Sequence, residues 1–153
     1  MSGLSLRPLG RSERAEFAAE AERRYAEDIE QNGGFSAADA RRKAAEDVPR
    51  LLRDRDATLF ALEESGHRVG HMWLGKREQQ GRRFFWVWGV FVAEEHRGRG
   101  VGRQAMELAE QEARRQGLSR IELNVFGGND AARSLYRSVG YEEVAIQMGK
   151  ELP

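Results

Sequence analysis

The most informative stretch of the sequence is Val90-Phe91-Val92-Ala93-Glu94-Glu95-His96-Arg97-Gly98-Arg99-Gly100-Val101-Gly102-Arg103. An apolar run ends at residue 92, a short polar loop follows, and closely spaced glycines open a segment with helical periodicity. Glycines let a backbone approach a ligand closely, and the start of a helix adds unpaired N–H donors and a partial positive charge. The pattern therefore predicts a strand, a turn and a helix that bind an anion such as a phosphate, beside the three arginines Arg97, Arg99 and Arg103.

Two other phosphate-binding motifs do not fit this turn. A P-loop requires Lys followed by Ser or Thr after its last glycine, whereas Val101 and Gly102 follow Gly100. A dinucleotide fingerprint requires a third glycine where this chain has Arg103, and it normally follows the first strand of a βαβ unit. A plain glycine-rich helix start with solvated arginines is the alternative that remains on this stretch alone.

The hydrophobic period along the rest of the chain predicts an α/β fold. A stripe of apolar residues at i+4 spacing from Phe17 to Ile29 indicates the first helix, and Ser36 with Asp39 resembles a capping box for the second, in which Pro49 favours a kink or an early end. The predicted elements are strand 4–9, a helix from about residue 12, a helix from residue 36, strands 58–62, 68–74 and 82–92, helix 100–115, strand 121–126, helix 129–139 and a last strand from residue 141. This order favours a mixed sheet with helices on both faces.

Length and composition exclude several classes of protein. The 153 residues fit one domain spanning residues 1–153, and the absence of cysteine excludes disulfides and a cysteine nucleophile. Lys+Arg and Asp+Glu are both 25, and this zero net charge argues against a nucleic-acid partner. The start of the chain lacks the apolar core of a signal peptide, and no apolar run approaches about 18 residues. We therefore expect a cytoplasmic protein without a membrane partner.

Two motifs in order and spacing resemble the GNAT superfamily of N-acetyltransferases. Arg97-Gly98-Arg99-Gly100-Val101-Gly102 looks like the family's Arg/Gln-x-x-Gly-x-Gly/Ala signature. Residues 129–141, Asn-Asp-Ala-Ala-Arg-Ser-Leu-Tyr-Arg-Ser-Val-Gly-Tyr, resemble its Asn-x-x-Ala-x-x-Leu-Tyr-x-x-x-Gly-Phe/Tyr helix. The resemblance covers about residues 58–152. It implies an α/β (mixed, GNAT-like) fold with a central, mostly antiparallel, splayed sheet, and it suggests a homodimer.

The resemblance also implies roles for particular residues. In the family the glycine-rich turn binds the coenzyme A pyrophosphate, and the preceding strand pairs with pantetheine and holds the acetyl carbonyl. Asn129 and Tyr136 match residues that contact the cofactor arm and protonate the departing thiolate, and a phenol with a pKa of about 10 can donate to that charge. A buried tyrosine with a structural role is the alternative for Tyr136. The implied cofactor-binding residues are Val90, Phe91, Val92, Arg97, Gly98, Arg99, Gly100, Val101, Gly102, Arg103 and Asn129.

The sequence does not identify a general base for the reaction. Many relatives place a carboxylate on the strand before the turn, but residues 86–92 contain none. A water relay, or an amine that arrives neutral, is the default interpretation. Glu94 and Glu95 lie in the loop and are expected to be solvated, and His96 is expected to contact a phosphate. His71 is a candidate base, with a structural role as its alternative. Glu27, Asp28 and Glu30 are candidates for facing the acceptor, with a solvated helix face as their alternative.

The sequence thus predicts an enzyme that moves the acetyl group of acetyl-CoA to a primary amine by direct attack, without a metal. The segment 25–35 and the end of strand 82–88 are expected to border the amine pocket, because Gly33 and Gly34 separate two helices there. A binding or sequestration protein with the same fold is the alternative that the missing strand carboxylate favours. A longer acyl group is the second alternative.

Overall fold

The computed structural model describes residues 3–153 and contains one five-stranded sheet with the strand order β1-β2-β3-β4-β5. The first four strands run antiparallel to their neighbours, and β5 runs parallel to β4. The strands are β1 (Leu4–Pro8), β2 (Ala57–Glu64), β3 (His67–Gln79), β4 (Arg82–Val92) and β5 (Ile121–Leu123). The predicted mixed sheet is therefore confirmed, and it is mostly antiparallel.

Within residues 3–153, four α-helices connect and cover these strands. They are α1 (Arg14–Asn32), α2 (Ala37–Leu52), α3 (Val101–Arg115) and α4 (Asp130–Ser138). The Ser36 hydroxyl accepts a hydrogen bond from the Asp39 N–H at 3.1 Å, so the predicted N-terminal cap of α2 is present. Within the described residues, no helix combines the length and the apolar content that a membrane span requires.

The helices lie on both faces of the sheet because alternate residues of each strand point to opposite sides. On one face, Leu62, Met72, Leu74 and Phe85 pack with the apolar side of α3. On the other face, Leu59, Ala61 and Trp73 pack with Phe17 and Ala21 of α1 and with Val48 of α2. The aromatic strand residues are accordingly divided between two cores.

Helix α2 continues through Pro49 to Leu52, so the early end that this proline allowed does not occur. Two details differ from the sequence-based expectations. Strand β5 ends at Leu123 rather than at residue 126. The last strand, predicted from residue 141, is not formed. An alternating apolar pattern becomes a strand only when a neighbouring strand supplies backbone hydrogen bonds, and the segment from residue 141 pairs with none of the five strands. Its apolar residues Val144, Ile146 and Met148 are exposed instead.

Candidate functional site

The parallel pair of strands separates part of the way along β4. The ladder between β4 and β5 covers only Phe85 to Val87, opposite Ile121 to Leu123. At the same point the register between β3 and β4 slips by one residue, so that Gly89 pairs with Trp73 and Trp88 has no partner. Beyond the slip, residues 88–92 of β4 have β3 on one side only. We call the space between residues 88–92 and residues 124–126 the wedge.

The backbone of Val90 faces the wedge. Directly after β4, the Ala93 N–H donates to the Val69 carbonyl at 2.9 Å, which marks a hydrogen-bonded pair between the two strands. Because such pairs alternate along an antiparallel ladder, Phe91 bonds to β3, while Val90 and Val92 turn their N–H and C=O groups away from it. The Arg97 Nε donates to the Val92 carbonyl at 2.9 Å. Val90 is therefore the residue that offers a donor and an acceptor to a ligand in the wedge.

The glycine-rich turn places the start of α3 at the end of the wedge. Gly98 and Gly100 adopt left-handed φ angles of 72° and 80°, which a residue with a Cβ rarely adopts. Gly100 is the N-cap of α3 and provides no side-chain hydrogen bond to the helix. The Val101 side chain is 4% exposed, so this residue can reach a ligand mainly through its backbone. The first N–H groups of α3 thus remain available for an anion.

The three arginines of the turn each contact a different part of the protein. Arg97 holds the Val92 carbonyl, as described above. Arg99 contacts a Glu64 carboxylate oxygen at 3.1 Å and the His96 Nδ1 at 2.9 Å. Arg103 reaches the Ser138 carbonyl at 3.3 Å and so links α3 to α4. Their positive charges lie beside the turn as the sequence indicated, but in this arrangement all three side chains have protein partners.

Helix α4 lies against α3 and contributes Tyr136. A Cβ added to Gly102 would lie 3.1 Å from a methyl carbon of Leu135, which shows how close the two helices are. Asn129 caps α4, since its Oδ1 accepts a hydrogen bond from the Ala132 N–H at 3.2 Å. The Nδ2 group of Asn129 is not needed for capping and is the part that can reach a ligand.

The Tyr136 ring is partly buried in the core that contains Val90 and Val92. Burial raises the pKa of Tyr136 above its ordinary value, and the negative charge of Asp28 adds to the rise. The phenol is therefore protonated at neutral pH and can donate a proton. It lies beside Tyr141, with 5.8 Å between the ring centroids.

The C-terminal end of α1, which belongs to the segment 25–35 expected to border the amine pocket, lies against residues 126–128. A Cβ on Gly33 would lie 3.2 Å from the Phe126 ring, and one on Gly128 would lie 3.5 Å from the Asn32 Oδ1. Phe126 packs against Ile29 and other buried residues of α1 and α2. Residues 126–128 therefore connect the end of the wedge to α1, through contacts between segments nearly 100 residues apart for which no local signal exists.

His71, one of the candidate bases, does not line the wedge. It lies on β3 opposite Phe91, so β4 separates it from the wedge. Its ring is 8% exposed and meets Phe17 edge-on at 5.5 Å. Burial lowers the pKa of His71, and its Nε2 has no hydrogen-bond partner in the protein. It borders a separate cavity of about 520 Å³ between α1 and the ends of β3 and β4.

Comparison with known proteins points to one family. A family model described as the acetyltransferase (GNAT) family matches residues 15–141. An N-acetyltransferase of Bacillus subtilis, YycN, is 29% identical over 106 residues, which are 69% of this chain and 68% of YycN. The crystal structure of YycN superposes with a TM-score of 0.85 at 27% identity and covers 99% of both chains.

A second relative is similar over only part of its length. The mycothiol acetyltransferase of Propionibacterium freudenreichii is 29% identical over 119 residues, which are 78% of this chain but 37% of that protein. The chain is therefore similar to a little over one third of this longer relative. The name of that enzyme describes the longer protein, of which only this part is similar to the chain.

Proposed function

The chain belongs to the acetyltransferase (GNAT) family, and from this we propose that it transfers the acetyl group of acetyl-CoA directly to a primary amine. The observation that carries the proposal is that β4 loses its second neighbour at residues 88–92, just before the uncapped start of α3. A pantetheine arm has amide groups that can pair with a strand edge, and a pyrophosphate fits the free N–H groups at the start of a helix. The two parts of coenzyme A thus find matching groups within a few residues of each other.

The chemistry follows from the groups that face the wedge. The Val90 N–H is positioned to hydrogen-bond the thioester oxygen and to stabilise the negative charge that develops there. The amine nitrogen attacks the carbonyl carbon, the C–N bond forms, and the C–S bond breaks. The nitrogen, acidified by the new C–N bond, loses one proton to solvent. The sulfur takes a proton from the Tyr136 hydroxyl, and the phenolate regains one from solvent. The products are an acetylated amine and free coenzyme A.

A thiol-release assay tests the proposal. Purified protein is incubated with acetyl-CoA and, separately, with lysine, spermidine, an aminoglycoside and a peptide with a free N-terminus. We expect amine-dependent release of free coenzyme A, together with a product whose mass has increased by one acetyl group. Tight acetyl-CoA binding without release above the rate of hydrolysis, for any amine tested, would favour the binding-protein alternative.

The aromatic side chains near α1 are expected to affect the acceptor and not the donor. Phe35, in the connection between α1 and α2, is 39% exposed, and Trp86 is partly exposed on the same side of the sheet, where the Arg77 guanidinium lies 4.8 Å from its ring. We expect Phe35→Ala or Trp86→Ala to raise the KM for the amine by about 3- to 30-fold, as the loss of an apolar contact would. The dissociation constant of acetyl-CoA should change less than twofold.

Leu152→Ala is the matched control, because Leu152 is also an exposed apolar residue but lies in the C-terminal segment. Steady-state kinetics for the amine and calorimetry for acetyl-CoA provide the two readouts. Weaker acetyl-CoA binding with an unchanged amine KM would place Phe35 and Trp86 on the donor side of the site and contradict the prediction.

A further inference from the structure

Transfer to an amine releases a proton, yet β4 provides no carboxylate to receive it. Residues 86–92 contain neither Asp nor Glu, and His71 lies behind β4. The last turns of α1, a helix that contacts residues 126–128 through its C-terminal end, carry three carboxylates: Glu27, Asp28 and Glu30. The rotation of α1 about its axis decides which of them faces the site.

Glu27 and Glu30 point away from the sheet. Both are exposed, and Glu27 forms an ion pair with Arg23 at 2.7 Å on the outer surface of α1. The buried neighbours Ala26 and Ile29 define the inner side of this helix. Asp28 lies at the boundary between these sides and is partly buried. The structure thus distinguishes between three acidic residues that the sequence left equivalent.

The Asp28 carboxylate is held in place by a hydrogen bond. The Asn32 Nδ2 donates to the Asp28 Oδ1 at 2.8 Å. The Asn32 Oδ1 would lie 3.5 Å from a Cβ added to Gly128. Gly128 directly precedes Asn129, the N-terminal cap of α4. Asp28 is thereby fixed above the start of the helix that carries Tyr136. Burial raises the pKa of the Tyr136 phenol, and the charge of Asp28 adds to the rise.

We propose that Asp28 is the amine-binding carboxylate of this protein, and that the acceptor is an alkyl amine that arrives as an ammonium ion. This inference rests on the proposed acetyl transfer and adds its substrate class. A carboxylate held beside residues 126–128, at the end of the wedge, attracts a cation and hydrogen-bonds its N–H groups. After the ammonium has lost one proton to solvent, the neutral amine attacks. As the C–N bond forms, the nitrogen becomes acidic, and Asp28 accepts a proton from it and releases that proton to solvent.

Binding of a simple diamine tests this role without requiring turnover. 1,5-Diaminopentane is titrated calorimetrically into the protein saturated with free coenzyme A, for the wild type, Asp28→Asn and Asp28→Glu. We expect Asp28→Asn to weaken binding by about tenfold or more, since a charge-assisted hydrogen bond is lost, and Asp28→Glu to retain part of the affinity. Glu27→Gln, which removes a neighbouring exposed carboxylate, should change the affinity less than twofold.

The phenol of Tyr136 provides a second, independent readout. The chain has only 3 tyrosines, so the absorbance of tyrosinate can be followed and assigned by comparison with Tyr136→Phe. Asp28→Asn should lower the pKa of Tyr136, because a negative charge that opposes ionisation is removed, and Glu27→Gln should leave it unchanged.

The inference is overturned if Asp28→Asn behaves like Glu27→Gln in both measurements, or if the wild-type complex binds no diamine. Neither readout depends on acetyl transfer. An enzyme that turns over with a neutral acceptor and binds no diamine would retain the proposed function and lose this inference. A protein that binds the diamine through Asp28 but releases no thiol would lose the proposed function instead.

Discussion

Replacing Gly102 with glutamate should weaken acetyl-CoA binding by about 100-fold or more. Gly102 is the second residue of α3, where the free N–H groups of the helix start are proposed to bind the pyrophosphate. A carboxylate at this position brings a like charge next to the phosphates, and such a juxtaposition costs several kcal/mol. The new side chain also meets Leu135, which lies 3.1 Å from the position of the added Cβ. Charge and crowding therefore act in the same direction.

Gly102→Gln separates these two contributions because glutamine has almost the same size as glutamate without the charge. We expect the Gln variant to bind acetyl-CoA more weakly than the wild type but more tightly than the Glu variant. Calorimetry gives the affinities, and far-UV circular dichroism with thermal unfolding shows whether both variants remain folded. A folded Gly102→Glu protein with unchanged affinity would place the pyrophosphate elsewhere.

The features that the sequence predicted well are those that short segments encode. The glycine-rich turn that opens α3, the Ser36 cap and the buried stripe of α1 each depend on residues within a few positions of one another. The alternation along the strands likewise divides the aromatic residues between the two faces of the sheet. Local patterns were therefore sufficient for the order of elements up to α4.

The features that it missed depend on contacts between distant segments. Strand β5 was expected to reach residue 126, but it leaves the sheet after Leu123, and Phe126 instead packs on α1 and α2. The segment from residue 141 has the alternation of a strand but no strand beside it. Similarly, Glu27, Asp28 and Glu30 are equivalent in the sequence, and only the packing of α1 distinguishes Asp28, which is partly buried and bonded to Asn32 beside Gly128.

Replacing Tyr136 with phenylalanine should lower turnover by roughly 10²–10⁴-fold, the usual contribution of a general acid. The substitution removes only the hydroxyl and keeps the ring, which packs against the buried core between the sheet and α3. Acetyl-CoA affinity and thermal stability should therefore change little. In the wild type the pKa of this phenol is raised, first by burial and then by the charge of Asp28. The proton donor should accordingly remain intact as the pH rises, and activity should decline only above the ordinary tyrosine pKa of about 10.

Tyr141→Phe is the matched control, because the Tyr141 ring lies 5.8 Å from that of Tyr136 and its hydroxyl is buried without a hydrogen-bond partner. Removing that hydroxyl should leave turnover within about twofold of the wild type and should not reduce stability.

The loss caused by Tyr136→Phe should also shrink with an acetyl thioester whose thiolate is a weaker base than that of coenzyme A, since such a leaving group needs less protonation. Near-normal turnover of Tyr136→Phe would remove the phenol from the mechanism, and an unfolded variant would show that its hydroxyl is structural.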